Sequence, residues 1–175
     1  MADVSGWDEP AGYDVVYARF LLHHLSQPSS LLRRMWAAVR PGGVLIVEDA
    51  DFGGWCCDPG NEGVRFFVAS YQRVLRRRGG DPLGRKLRRC FLAAGIPSPE
   101  LHLAQRVHEG DAKALAWSTL EATGDAVLAE GLATAAELSA ALASLREFTA
   151  DPGTLICGPR VFQLWSRRPA ASRPA

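Results

Sequence analysis

Two adjacent histidines, His23 and His24, are followed a short way along the chain by three carboxylates, Glu48, Asp49 and Asp51. An imidazole can take a proton from an attacking group, a service worth roughly 10²–10⁴-fold where the acceptor must lose one. Adjacent helical residues point in different directions, so at most one of the pair faces a given cleft. A structural histidine, buried or solvated, is the competing reading. The carboxylates could orient an acceptor, or join a histidine around a divalent ion. No further ligands at fixed spacing accompany them, so no metal is expected. Four cysteines occur, Cys56, Cys57, Cys90 and Cys157, none in a C-x-x-C pair. The adjacency of Cys56 and Cys57 suits neither an ordinary disulfide nor a tetrahedral metal site. Reduced thiols packed as small apolar residues are therefore expected.

Basic residues crowd one stretch: Arg73, Arg76, Arg77, Arg78, Arg85, Lys86, Arg88 and Arg89, against Asp81 alone. Aromatic interleaving is absent and the charges fall on the polar sides of two amphipathic helices, so a solvated face is expected, not a nucleic-acid surface. The net charge of +1 and pI near 7.7 give no overall attraction to nucleic acid or anionic membrane. The first residues carry neither a basic region nor an apolar core, so no signal peptide is read there. Apolar runs are too short for a membrane span. With 175 residues, 47% of them hydrophobic, the chain can bury a real core. A soluble cytoplasmic protein is the expectation.

The elements that must position these residues can be read from their periodicity. Residues 13–18 form a short β-rich run, and a helical turn spans 20–25. A helix starting near Pro28 carries Leu31, Leu32, Met35, Trp36 and Val39 on one stripe, and Pro41-Gly42-Gly43 is expected to stop it. Val44–Val47 follows as an apolar strand, completing a parallel crossover unit. A helix beyond Asn61 frays at Gly79-Gly80, and another spans about 83–94 with Gly95 as its stop. A strand over 101–107 comes next, then helices over 111–129 and 135–149, the second with Thr134 and Glu137 placed as a capping box. Val161–Trp165 is the last strand, and the tail from Arg167 is expected to be disordered. No internal repeat or dividing linker is visible.

The ordered set of motifs resembles class I S-adenosylmethionine-dependent methyltransferases. Tyr13-Asp-Val-Val-Tyr-Ala-Arg-Phe-Leu-Leu-His-His-Leu25, the Leu-Arg-Arg-Met of the helix, and Arg40-Pro-Gly-Gly-Val-Leu-Ile-Val-Glu-Asp49 resemble the segment from the fourth strand through the fifth. Gly131-Leu-Ala-Thr134, Phe148-Thr-Ala-Asp-Pro-Gly-Thr-Leu155 and Val161-Phe-Gln-Leu-Trp165 resemble the end of bacterial small-molecule members.

The resemblance implies an α/β fold of the Rossmann-like methyltransferase type, sheet order three-two-one-four-five-seven-six, with the cofactor across the carboxyl ends of the strands. The glycine-rich strand-to-helix loop of that family is not found: Gly42-Gly43, Gly53-Gly54 and Gly79-Gly80 do not follow a strand and open a helix. The expectation is thus a partial fold, strands four to seven without the amino-terminal strands. Residues 1–168 would form one incomplete domain with a helical insertion at about 111–150, and 169–175 a disordered tail. The implied cofactor is S-adenosylmethionine, and the implied acceptor a small molecule. Asp3 and Val4 match the pair that contacts the adenine; Ala18, Arg19 and Phe20 would border the cofactor, and His23 or His24 would be the catalytic base. Trp117 and Leu120 could line an acceptor pocket. With strands one to three absent, residues 13–18 become an exposed sheet edge, which invites pairing with another chain. The alternative function is accordingly a non-catalytic half-domain that dimerises or binds a partner through that edge.

Overall fold

A computed structural model of the chain describes residue 7 and residues 9–97 and 99–170. The chain divides into two compact units. The first holds residues up to Asp51, Leu83–Ala104 and the segment from Val161; the second holds Phe52–Pro82 and Gln105–Arg160.

In the first unit, β1 (Tyr13–Arg19) lies parallel to β2 (Val39–Asp51), and α1 (Pro28–Ala38) makes the crossover. The register pairs Val15 with Val44 and runs on to Arg19 opposite Glu48. It shifts between Tyr13 and Val15. The shift has a local cause in Pro41-Gly42-Gly43. The sequence pattern assigns this tripeptide to a helix stop, whereas the helix already ends at Ala38 and the tripeptide lies inside β2. Proline removes a ladder donor and disfavours helix in the residue before it. Gly42 takes a φ of +81°, and a Cβ on Gly43 would lie 2.8 Å from the Asp14 carbonyl oxygen. Only glycine lets the strand bulge there and continue.

The carboxyl half of β5 (Leu155–Arg167) extends beside β2, and β4 (Glu100–His108) pairs with β5. Gly42 N–H donates to the Arg168 carbonyl and Arg168 N–H to that of Gly43. α1 and α3 (Leu87–Ala93) bury Leu31, Leu32, Met35, Leu87 and Phe91 against Leu45, Val47 and Leu164 of the strands. The expected helix over 83–94 is shorter, since 84–86 form a 3₁₀ turn. Gly84 opens that turn and packs closely on β2, its would-be Cβ lying 2.4 Å from the Asp51 nitrogen.

The second unit is mainly helical. α2 (Glu62–Arg77), α4 (Ala114–Ala129) and α5 (Ala135–Ala150) pack on one another around Phe67, Leu120, Leu145 and Phe148. The capping box forms as the spacing predicts, with Thr134 Oγ1 accepting from Glu137 N–H and Glu137 accepting from Thr134 N–H. Gly63 sits where α2 meets α5, 2.9 Å from the Ala141 carbonyl oxygen by its would-be Cβ. A short strand absent from the sequence reading, β3 (Cys56–Asp58), pairs antiparallel with the start of β5. Lys113 is buried at 1% exposure, and its ammonium donates to the Phe148, Asp151 and Thr154 carbonyls and to Thr154 Oγ1. It thereby closes the carboxyl end of α5. Among the described residues, no helix is long and apolar enough to cross a membrane.

Candidate active site

The parallel register of β1 and β2 brings the chemistry-bearing residues of the first unit to one sheet end. Arg19 lies directly opposite Glu48, and its Nε stands 3.2 Å from Glu48 Oε2. The same carboxylate accepts from the Tyr17 hydroxyl at 3.1 Å and from Gln163 Nε2 at 2.5 Å. Gln163 Oε1 in turn lies 2.6 Å from His102 Nδ1. One polar chain thus crosses β1, β2, β5 and β4. Desolvation, reinforced by the Glu48 carboxylate, pushes the Tyr17 phenol above its ordinary pKa, so it remains a donor.

Immediately after β1, Phe20 takes a φ of +51°, the one described non-glycine residue in the left-handed region. Such a conformation in a bulky residue costs of order 1–3 kcal/mol. Its N–H donates to the Glu48 carbonyl, and the Arg19 guanidinium lies 4.7 Å above its ring. The turn re-aims the chain into the 3₁₀ turn Leu22–His24.

His23 is buried within that turn. Its Nδ1 is 2.5 Å from Asp49 Oδ1, and its backbone N–H donates to Asp49 Oδ2 at 3.0 Å. Asp49 is fully buried and also accepts from Ala50 N–H. A carboxylate on Nδ1 fixes the ring's orientation and tautomer. His24 is exposed and its ring lies 4.0 Å from that of His23. Partial burial, then the neighbouring His23, lowers its pKa, while Asp49 opposes the shift. The exposed imidazole is therefore neutral at physiological pH and able to accept a proton.

A cavity of about 150 Å³ opens beside Ala18, lined by Trp7, Val16, Tyr17, Leu21, Leu31 and Met35. Its walls are apolar, and Arg19 follows Ala18 directly. The structure thus brings Ala18, Arg19, Phe20, His23 and His24 to the end of one strand. Asp3 and Val4 lie outside the described residues. Glu48, Asp49 and Asp51 are engaged by Arg19, His23 and Arg85 respectively. Among the described residues, no group of three or more histidine, cysteine, aspartate or glutamate side chains could hold a metal ion. Trp117 and Leu120 belong to the helical core of the second unit, Leu120 fully buried and Trp117 beneath the Arg146 guanidinium. The basic run is split: Arg73–Arg78 end α2 in the second unit, and Arg85–Arg89 lie in the first.

The sequence reading missed Tyr17, Gln163 and His102 as partners of the site. Gln163 and Glu48 stand 115 positions apart, so only strand order could join them.

A family model described as a methyltransferase domain matches residues 1–117. The chain belongs to this family, the class I methyltransferases that its ordered motifs resemble. Methyltransferase str2 of Strobilurus tenacellus is 31% identical over 101 residues, covering 55% of the chain and 36% of the relative. Methyltransferase str3 of the same fungus is 44% identical over 43 residues, covering 25% and 16%. The chain thus spans about a third or less of the length of these curated relatives. Among solved structures, one from Bacillus halodurans C-125, provisionally described as a methyltransferase, aligns with a TM-score of 0.54 at 16% identity, over 97% of the chain and 76% of its own. The YcgJ protein of Bacillus subtilis aligns with a TM-score of 0.50 at 9% identity, over 97% and 70%. At such identities the likeness is one of fold, an α/β architecture with a mixed sheet. Within that sheet β2 lies between β1 and β5, and β5 also pairs with β3 and β4.

Proposed function

We propose that the chain carries part of an enzyme that moves a methyl group from S-adenosylmethionine to a small-molecule acceptor. What supports this reading most is the family match over residues 1–117 together with the convergence of Ala18, Arg19, Phe20 and the His23–Asp49 pair at the carboxyl end of the parallel strands. The donor would supply a methyl group on a sulfonium sulfur. The apolar cavity beside Ala18 suits a flat ring, and the Arg19 guanidinium suits a carboxylate. Sites for ligands of this size enclose roughly 300–1,000 Å³, and this cavity is about 150 Å³. On this reading the described residues contribute one wall of the donor site, and a glycine-rich loop would contribute the other.

Within this wall, His23 is a positioning residue. Held by Asp49, it fixes the turn that presents Phe20 and His24. His24, exposed and neutral, is the group placed to take a proton from an acceptor. Titration calorimetry of the 175-residue chain with S-adenosylmethionine tests the single wall, and no sub-micromolar binding is expected. Sub-micromolar affinity would overturn the incomplete site. Joined to an in-frame upstream segment bearing the loop, the chain should bind and transfer methyl groups; failure of that longer protein to bind would sink the enzymatic reading.

A second reading is favoured by one observation. Tyr13, Val15 and Tyr17 of β1 are 47–53% exposed, and β1 is an edge of the described sheet. Edges of this kind pair with other chains, and a non-catalytic module would use β1 to form a homodimer. Sedimentation equilibrium decides: a dimer that Val15→Lys converts to monomer favours this reading, and a monomeric wild-type chain removes it.

A further inference from the structure

The three cysteines of the second unit are not equivalent. Antiparallel pairing of β3 with β5 sets Cys56 directly opposite Cys157, and Cys57 opposite Ile156. Alternation along a strand sends neighbours to opposite faces. Cys57 packs on the helical core with Trp55 and Phe67, while Cys56 is exposed. The Cys56 and Cys157 thiols thus face one another across the ladder. Directly opposed residues in antiparallel strands have Cα atoms about 4.5–5.5 Å apart, inside the ~4.4–6.8 Å that a disulfide spans.

The surroundings admit a small oxidant. A cavity of about 550 Å³ is lined by Cys56 and Cys57, by Trp55 and Val64, and by Arg65 and Arg73. Burial, then the neighbouring Cys56, pushes the Cys157 thiol above its ordinary pKa. The more exposed Cys56 is therefore the sulfur that meets the oxidant first, and Cys157 the one that resolves it.

We propose that Cys56 and Cys157 are a peroxide-responsive dithiol that closes to a reversible cross-strand disulfide. The Cys56 thiolate attacks one oxygen of hydrogen peroxide and the O–O bond breaks. Cys56 becomes a sulfenic acid, and the departing hydroxide takes up the thiol proton as water. The Cys157 sulfur then attacks the Cys56 sulfur, the S–O bond breaks, and a second water leaves with the Cys157 proton. Two thiols lose two electrons in all, and one peroxide becomes two waters. The bridge staples β3 to β5 at the wall of the cavity, and an external dithiol reopens it.

The test treats the full chain with a small excess of hydrogen peroxide, blocks residual thiols with iodoacetamide, and maps peptides without reduction. The expected result is loss of two of the four thiols and one linked peptide joining Cys56 to Cys157, both reversed by dithiothreitol. Cys157→Ser should leave Cys56 as a sulfenic acid that dimedone traps, and Cys57→Ser should leave the link intact. A link through Cys57 or Cys90, or four intact thiols in chains whose circular dichroism shows them folded, would overturn the proposal. Because the wild-type chain carries the decisive arm, a misfolded variant does not blunt it.

Discussion

At the scale of single residues, burial sorts the two histidines into different tasks. His23 faces a carboxylate that water does not reach. Removing one partner of a buried, hydrogen-bonded pair costs roughly 3–5 kcal/mol, because the other is left unpaired. Asp49→Ala should lower stability by about that amount in a denaturant melt, and a loss below about 1 kcal/mol would show the pair to be incidental. His24 behaves differently, since the folded state lowers its pKa. Its ring proton resonance should titrate below 6.5, the ordinary histidine value; a midpoint above 6.5 would mean Asp49 outweighs desolvation and His23. The residue types at these positions were legible in sequence, and so was the rule that adjacent histidines diverge. Which one is buried was not, because that depends on Asp49 arriving from a different strand.

At the scale of elements, glycines mark where the chain comes too close for a side chain. Gly63 is the clearest case in the helical unit. A helix normally gains from replacing glycine, yet here the new atoms would press on the Ala141 carbonyl and the Leu145 side chain. Gly63→Val should destabilise the protein by roughly 1–3 kcal/mol through overpacking, read as a lower thermal midpoint. A neutral or stabilising effect would show that α2 and α5 can separate freely. The same close approach explains why β2 reads differently in sequence and in structure. Pro41-Gly42-Gly43 carries every local sign of a helix stop, yet the helix ends at Ala38 and the tripeptide lies within β2. What local pattern cannot reveal is that β1 and β5 on either side hold the tripeptide in the sheet as a bulge. β3 escaped notice for a similar reason: its three residues have no periodicity of their own and become a strand only by pairing with β5.

Across the whole molecule, proton uptake links these local environments to stability. Burial lowers the pKa of His24, and burial followed by the Arg106 charge lowers that of His108. A group with a lowered folded pKa binds its proton more readily when unfolded, so stability rises with pH across its range. For these histidines the loss begins as pH falls through about 6.5 and continues until the folded values are passed. Chemical melts between neutral and mildly acidic pH should show that decline, and Asn at both positions should flatten it. A flat profile in the wild-type chain would contradict the assigned environments.

The order of motifs by itself determined the family, the parallel β1–α1–β2 unit, the helical segments and the capping box at Thr134. These rest on local periodicity, on capping and turn residues, or on the order of motifs along the chain. Only the tertiary structure decided that Glu48 gathers Tyr17, Arg19 and Gln163, that Asp49 secures His23, and that Cys56 meets Cys157. Each of those depends on strand order and register, which hydrogen bonding between distant segments settles and local pattern does not encode.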